Sequence, residues 1–229
     1  MQRHETVLLS PHPDDAAFSL GGVLQGGGLP GPVVLVTLFG RSNFMRDGGF
    51  SPDWPEVTRR RRGEEETFAA SLGLELVYHE MPEVSLRDQR LFAPGPGEDL
   101  TPPPGLEDAI ARVLGERVPA LVLAPLGLGD HRDHKIVCRS ASRTAAARGL
   151  PLAYYEDLPY AARLSERDIL RRVGAVGPGL VPRVFPLASL AAKLEQLRLY
   201  DSQVGEDDLE LIRCHHQRRA SERIWCSPG

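Results

Sequence analysis

The sequence predicts an α/β fold in which helices cover both faces of a mostly parallel sheet. Five short apolar runs rich in Val, Leu and Tyr alternate with four segments of helical spacing. This alternation is typical of crossover connections between parallel strands. The apolar runs lack strict alternation of polar and apolar residues, which indicates that both faces of the sheet are covered. We therefore expect three layers.

The predicted elements follow one another along the chain. The strands, each bounded by Gly, Pro or Ser, are Thr6–Ser10, Val33–Phe39, Leu74–Tyr78, Ala120–Ala124 and Leu152–Tyr155. The helices between them are Ala16–Gln25, Glu56–Leu72, Leu106–Gly115 and Asp133–Arg148. The Pro- and Gly-rich segments Pro94–Gly97 and Pro102–Gly105 predict a surface loop before the fourth strand.

Length and composition predict one domain over residues 1–229. The 229 residues, of which 41% are hydrophobic and 25% charged, suffice for one ordinary core. The alternation of strands and helices fades beyond Glu156, and a last amphipathic stretch covers Leu190–Tyr200. We expect a C-terminal elaboration of the same domain from about residue 157.

Charge and hydropathy argue against nucleic acid and membranes as partners. The formal net charge is −4 and the isoelectric point is near 6.0, whereas binding of nucleic-acid phosphates needs a basic excess. No run approaches the roughly 18 apolar residues of a membrane helix, and the N-terminal residues show no signal-peptide pattern. Three cysteines without a CxxC pair fit a reducing compartment. We expect a cytoplasmic protein.

Ionisable side chains follow the first predicted strand. The run Ser10-Pro11-His12-Pro13-Asp14-Asp15 stands where a dinucleotide-binding protein would have GxGxxG, so dinucleotide binding is excluded. A serine hydrolase is also disfavoured, since the chain has no GxSxG motif. Ligands of open parallel sheets bind beyond the carboxyl ends of the strands. The two prolines stiffen the turn, which suits metal ligands.

The fourth predicted strand ends in a similar way, at Asp130-His131-Arg132-Asp133-His134. Taken alone, Asp14-Asp15 is typical of a helix N-terminus and His131-x-x-His134 of surface histidines. Their joint occurrence at strand ends of one sheet favours a site. Imidazole and carboxylate ligands suit zinc, and three protein ligands with one open position are typical of catalytic zinc.

Three further groups leave alternatives open. Arg59–Arg62 precedes Glu64–Glu66, which is typical of a solvated helix face, although a single arginine of the run can face a pocket. Glu156 and Asp157 end the fifth predicted strand and are either substrate contacts or capping and surface residues. We expect His215 and His216 at the surface, because adjacent side chains point apart.

The motifs together resemble the PIG-L/LmbE-like zinc-dependent N-deacetylases. The PHPDD turn and the later HxDH turn carry the resemblance. Arg61-x-x-Glu64 before Leu72-Gly73, and Lys193 with Ser202-Gln203, resemble further segments of that family. The resemblance implies a Rossmann-like three-layer fold, with the active site at the carboxyl ends of the strands. It also implies removal of the N-acetyl group from an N-acetylglucosamine-type sugar conjugate.

The resemblance assigns roles residue by residue. It implies that one Zn²⁺ per chain, exchangeable for other divalent metals, is held by His12, Asp15 and His134. Asp14 then matches the general base and Asp133 a carboxylate behind the ligands. His131 matches the histidine that supports the oxyanion or protonates the leaving amine.

The resemblance departs from the family pattern at one position. Ala16 stands where the family usually has a glutamate after the paired aspartates. The alternative function is therefore a sugar-conjugate binding protein with weak or no catalysis.

The expected substrate is a small, soluble conjugate. Arg61 or Arg62 would meet a carboxylate or phosphate of the aglycone through bidentate hydrogen bonds. Glu156 and Asp157 are the other candidate substrate contacts. A homo-oligomer is compatible with the sequence.

Overall fold

The protein is described by a computed structural model that covers residues 5–87, 90–92 and 99–228. The predicted loop segment Pro94–Gly97 lies outside these residues. The strands are β1 (Thr6–Ser10), β2 (Val33–Thr37), β3 (Phe44–Met45), β4 (Gly49–Phe50), β5 (Glu75–Tyr78), β6 (Leu121–Pro125), β7 (Leu152–Tyr155), β8 (Val181–Pro186) and β9 (Ser221–Cys226).

Eight α-helices connect or follow these strands in the described residues. They are α1 (Asp15–Gly26), α2 (Trp54–Ser71), α3 (Val84–Arg87), α4 (Leu106–Arg117), α5 (Arg132–Arg148), α6 (Glu166–Val176), α7 (Leu190–Leu197) and α8 (Glu206–Arg218). A short 3-10 helix covers Tyr160–Arg163. In the described part of the chain, no helix is both long and apolar enough to cross a membrane.

One seven-stranded sheet organises the fold, in the order β5-β2-β1-β6-β7-β9-β8. The first five strands of this order are parallel, whereas β9 runs antiparallel to both β7 and β8. The chain proceeds from β1 outward to β2 and β5, and then returns across β1 to begin β6 and β7. The point where the order reverses, between β1 and β6, is where open α/β sheets bind their ligands.

The middle positions of the central strands are apolar, as the sequence predicts. Leu8 of β1 lies between Leu35 of β2 and Leu123 of β6, and all three side chains are inaccessible to solvent. Such strands show no alternation because α1 and α5 pack against the sheet, and residues of α4 join the same core. The predicted α/β architecture with a mostly parallel sheet is confirmed.

The C-terminal third is more regular than the sequence indicated. Two strands, β8 and β9, extend the sheet, and the helices α6 and α8 were not predicted as elements. The placement of His215 and His216 at the surface is wrong. Both lie in the last turn of α8 with 7% and 3% exposure, since one face of this helix packs on the core.

A buried ion pair fixes α1, the helix that carries Asp15. The ammonium of Lys193 donates to the carbonyl oxygens of Ala17 and Phe18 and to the carboxylate of Glu222. Glu222 in turn accepts from the backbone N–H groups of Gly22 and Val23, at 3.0 and 2.8 Å. The pair therefore anchors α1 between α7 and β9 through the backbone groups of the helix.

Candidate active site

The ionisable residues singled out in the sequence meet at the switch point of the sheet. His12, Asp14 and Asp15 follow β1, while His131 and Asp133 open α5 after β6. A cavity of about 260 Å³ lies over them, lined by polar and apolar side chains of several elements. Two loops distant in sequence therefore form one site because β1 and β6 are neighbours in the sheet.

The imidazole of His12 is held by a carboxylate on each side. Its Nε2 atom lies 3.0 Å from Oδ2 of Asp133, and its Nδ1 atom lies 3.2 Å from Oδ2 of Asp15. Asp133 is inaccessible to solvent and also accepts from the guanidinium of Arg87 and, at 2.9 Å, from the backbone N–H of Val84. Asp133 thus fixes the ring of His12 and leaves Nδ1 facing Asp15.

His134 is held in a corresponding way. Its Nδ1 atom lies 2.7 Å from Oδ1 of Asp157, whose second oxygen accepts the N–H of Leu128 at 3.1 Å. The Nε2 atom of His134 is buried, lacks a hydrogen bond with any described residue, and lies 3.3 Å from Oδ1 of Asp15. A buried nitrogen that lacks a hydrogen bond and faces a carboxylate is the arrangement expected of a metal ligand.

The donor set fits a tetrahedral divalent metal. Bonds of about 2.0–2.2 Å in a tetrahedron place neighbouring ligand atoms about 3.3–3.6 Å apart. Nδ1 of His12 lies 3.2 Å from Oδ2 of Asp15, and Nε2 of His134 lies 3.3 Å from Oδ1 of the same carboxylate. Each nitrogen is thus close to the separation of neighbouring ligands, but from a different oxygen of Asp15. A carboxylate behind each imidazole, as Asp133 and Asp157 provide here, is the usual support of metal-binding histidines.

A second ligand set shares two of these residues. Ligand atoms of His12, His131 and His134 all lie within 4.8 Å of one another, and the three side chains are buried. The Nδ1 atom of His131 makes no hydrogen bond with a described residue. His12 and His134 therefore belong to both sets, and Asp15 and His131 distinguish them.

The charges of the site set the protonation of its histidines. Burial lowers the pKa of His12, but hydrogen bonds with Asp133 and Asp15 outweigh burial and raise this pKa to about 9. Burial also lowers the pKa of His134, which Asp15 and Asp157 nevertheless hold well above its usual value. The pKa of His131 is well below its usual value, through burial and the nearby His12 and His134.

Asp14 lies beside the ligand set in a strained backbone conformation. Its φ angle is +94°, in the region that residues other than glycine rarely adopt. Its N–H donates to Glu65 at 3.4 Å, and its carboxylate lines the cavity 3.7 Å from the guanidinium of Arg61. Burial raises the pKa of Asp14 well above its usual value, against the opposing charge of Arg61.

The two candidate arginines lie on different faces of α2. Arg61 is buried and lines the cavity, where it donates to Ser42 at 2.6 Å and to Glu83 at 3.1 Å. Arg62 is exposed, pairs with Glu66 and Glu80, and does not line the cavity. Arg62 therefore belongs to a solvated helix face, whereas Arg61 is the arginine of the run that faces a pocket.

The two carboxylates after β7 also lie away from the cavity lining. Glu156 binds Arg219 at 3.0 Å, Arg223 at 2.6 Å and the indole N–H of Trp225 at 2.9 Å. Asp157 binds His134, as described above. The structure therefore gives neither residue the direct substrate contact that the sequence suggested. Glu156 joins β7 to β9, and Asp157 orients a candidate metal ligand.

Sequence reasoning missed most of the cavity wall. Apart from Gln203, which belongs to the late motif, the lining residues not singled out are Phe18, Phe44, Glu83, Leu91, Phe92, Pro159, Tyr160 and Asp208. They come from α1, the β3–β4 hairpin, several loops and the first turn of α8. No local pattern marks them, because only the tertiary fold brings these segments to one rim.

Comparison with known proteins places the chain in a family. Residues 7–146 match the sequence profile of PIG-L, described as GlcNAc-PI de-N-acetylase. The chain belongs to the PIG-L family. A relative of this chain, 2'-N-acetylparomamine deacetylase from Streptomyces fradiae, is 33% identical over 235 residues, which cover 98% of this chain and 82% of the relative.

Solved structures share the fold of this PIG-L protein. The zinc-inhibited form of teicoplanin deacetylase Orf2 has a TM-score of 0.72 and 22% identity, covering 96% of this chain and 97% of that chain. The N,N'-diacetylchitobiose deacetylase of Pyrococcus horikoshii has a TM-score of 0.66 and 19% identity, covering 96% and 82%. At these identities the likeness concerns the architecture, and the chemistry must be argued from the site itself.

Proposed function

We propose that this protein is a metal-dependent amidohydrolase that removes the N-acetyl group from an N-acetylglucosamine-type conjugate. The observation that carries the proposal is the convergence of His12, Asp15 and His134 at one edge of the sheet, beside the carboxylate of Asp14 that lines the cavity. The acetylated sugar as substrate is supported by the activity named for the Streptomyces fradiae relative. Zinc is the metal that this mixture of nitrogen and oxygen ligands suits best.

Zinc bound to these residues would lower the pKa of its water to roughly 7 and polarise the amide carbonyl. Asp14 accepts the proton of the attacking water at a carboxylate oxygen and can return it to the leaving nitrogen. The positive φ of Asp14 turns this carboxylate toward the cavity, while Arg61 limits its movement. Asp133 and Asp157 keep His12 and His134 in the tautomers that bind a cation.

His131 is the candidate hydrogen-bond donor to the substrate amide. It directly precedes the first turn of α5 and lines the cavity, with its ring centroid 4.8 Å from that of His12 and 5.1 Å from that of His134. From this position its ring N–H donates a hydrogen bond either to the developing oxyanion or to the leaving nitrogen. Loss of such a group typically lowers turnover by about 10²–10³.

Binding without turnover has no structural support. Its sequence argument was Ala16, but this side chain is inaccessible to solvent in the core and does not line the cavity. The cavity is lined by His12, Asp14, Asp15 and His131, and the ring of His134 lies 3.3 Å from Asp15.

The test combines elemental analysis of the purified protein with acetate release from a panel of N-acetylglucosamine conjugates. We expect about one zinc per chain and turnover on part of the panel, both lost in His134→Ala. Full zinc content in His134→Ala would overturn the metal assignment, and a zinc-loaded protein that releases no acetate would overturn the activity.

A further inference from the structure

The cavity contains a polar group that the proposed mechanism leaves unused, the phenol of Tyr160. Tyr160 begins the 3-10 helix after β7, and its side chain lines the cavity. The ring centroid of Tyr160 lies 5.5 Å from that of His134 and 6.3 Å from that of His131. Its hydroxyl makes no hydrogen bond with a described residue, and the oxygen atom is not fully buried. The hydroxyl is therefore accessible to a ligand in the cavity.

The surrounding chain makes room for the ring and holds it. A Cβ atom at position 129 would lie 2.1 Å from Cγ of Tyr160, so the ring can occupy its place only because residue 129 is glycine. Phe92 meets the ring edge to face at 6.4 Å. The N–H of Ala161 donates to the carbonyl of Asp157 at 2.8 Å, which ties this short helix to the residue that orients His134.

We infer that Tyr160 is a catalytic residue that donates a hydrogen bond from its hydroxyl to the carbonyl oxygen of the bound acetamide, an inference that rests on the proposed function. This oxygen gains negative charge as water attacks the carbonyl carbon, so a fixed donor stabilises the transition state more than the substrate. The proton stays on the phenol, which is protonated at neutral pH because a tyrosine ordinarily has a pKa of about 10. No bond to Tyr160 forms or breaks.

This assignment separates the two roles that were open to His131. With the phenol as a donor to the oxygen, His131 can serve the leaving nitrogen. Tyr160 and His131 line the same cavity with ring planes tilted by 37°. Each can then act at a different atom of the amide.

The matched variants are Tyr160→Phe and Tyr154→Phe. The first removes the hydroxyl and keeps the ring between Gly129 and Phe92. The second makes the same change at a tyrosine whose hydroxyl pairs with Ser142 at 2.8 Å and which does not line the cavity. In an active enzyme we expect Tyr160→Phe to lower kcat by about 10², with KM within about twofold. Zinc content should be unchanged, and Tyr154→Phe should behave as the wild type.

A second measurement does not depend on turnover. Methylphosphonate is a tetrahedral anion that carries the methyl group and charged oxygens of an attacked acetyl group, and its binding to the zinc-loaded protein is followed by calorimetry. We expect Tyr160→Phe to weaken this binding at least tenfold, on the scale of one hydrogen bond to a charged group, and Tyr154→Phe to leave it unchanged.

The two measurements separate this inference from the proposed function. A wild type that releases no acetate, with methylphosphonate binding weakened only by Tyr160→Phe, contradicts the activity but supports Tyr160 as the oxyanion donor. Unchanged methylphosphonate affinity in Tyr160→Phe overturns the inference even where turnover falls, since altered packing would then explain the loss. Unchanged kcat in an active enzyme, or no methylphosphonate binding by the wild type, also overturns it.

Discussion

The Nδ1 atom of His134 lies 2.7 Å from Oδ1 of Asp157, and this contact directs the opposite nitrogen of the ring to Asp15. Asp157 comes from the end of β7 and His134 from the first turn of α5, so the pairing depends on the neighbouring positions of β6 and β7 in the sheet. A carboxylate in this position fixes the tautomer of the imidazole and increases its basicity toward a metal.

We expect Asp157→Asn to weaken zinc binding by about 10- to 100-fold, because an amide cannot provide the charge that supports His134. The measurement is competition with a chromophoric chelator. Glu156→Gln is the matched control, since Glu156 is adjacent but binds Arg219, Arg223 and Trp225 instead of a ligand. Equal zinc affinities of Asp157→Asn and wild type would contradict the orienting role.

The sequence predicted which of these side chains lie close together because its strongest signals are local. The turn after β1 and the turn before α5 carry His12, Asp14, Asp15, His131 and His134 within two short stretches, and parallel strands place such turns at one edge. The role of Asp157 could not be derived in this way. A carboxylate after a strand has the same local pattern whether it faces a substrate, a histidine or solvent.

The same limit explains the errors in the C-terminal third. β9 lies between β7 and β8 and runs antiparallel to both, so its residues pack on partners far away in sequence. His215 and His216 have a polar sequence context, yet α8 turns them toward the core. Adjacent helical side chains diverge by about 100°, which does not prevent both from being covered when a helix lies in a groove.

The two candidate ligand sets predict opposite results for two variants. If His12, Asp15 and His134 bind the metal, His131→Ala keeps about one zinc per chain and Asp15→Ala loses it. If the three histidines bind the metal, His131→Ala loses the zinc and Asp15→Ala keeps it. Elemental analysis after dialysis decides between them, with circular dichroism to establish that each variant is folded. We expect zinc to remain in His131→Ala, because His12 and His134 each lie close to the separation of neighbouring zinc ligands from an oxygen of Asp15.

Asp14→Asn tests the general base. Asparagine is nearly isosteric with aspartate and tolerates a positive φ, so the strained turn at +94° should persist. An amide cannot accept the proton of the attacking water, so we expect acetate release to fall at least ~10²-fold with zinc content unchanged. Turnover near that of the wild type, with zinc retained, would remove Asp14 from the mechanism.

Zinc binding should strengthen as the pH rises from 6 to 8.5. The pKa of His12, about 9, lies above its usual value of 6.5, because Asp133 and Asp15 face its two nitrogens. Zinc takes the neutral imidazole, so below this pKa a proton must leave His12 before the metal binds. His134, whose pKa is also raised, adds to the effect. Each displaced proton corresponds to about tenfold in affinity per pH unit.

The pH dependence of stability gives a check on the sign of this prediction. After treatment with a chelator, the contribution of His12 to stability is full below pH 6.5 and is lost as the pH rises through about 9. The stabilisation that bound zinc provides instead increases as the pH rises. The difference in Tm between zinc-loaded and chelator-treated protein should therefore increase with pH, and a constant difference would contradict the assignment of His12 as a ligand.

Arg61→Ala and Arg62→Ala compare two neighbouring residues of one helix in different environments. Arg61 and Glu83 are both buried and ion-paired at 3.1 Å, so removal of the guanidinium leaves a buried carboxylate without its counter-charge. Removal of one partner of a buried ion pair lowers the free energy of unfolding by about 3–5 kcal/mol. We expect Arg61→Ala to lower Tm and the turnover of anionic and neutral conjugates alike, because Asp14 loses a neighbour at 3.7 Å. Arg61→Ala combined with Glu83→Gln should recover part of the stability.

Arg62→Ala should leave stability and turnover near those of the wild type, since exposed ion pairs such as those with Glu66 and Glu80 contribute little. The measurement is kcat and KM of both variants on an anionic and a neutral N-acetylglucosamine conjugate. If Arg61→Ala raises KM for the anionic conjugate alone, Arg61 binds a negatively charged aglycone as the sequence suggested. If both conjugates are affected equally, the guanidinium acts within the protein, by holding Glu83 and the carboxylate of Asp14, and the aglycone is selected by other residues of the cavity wall.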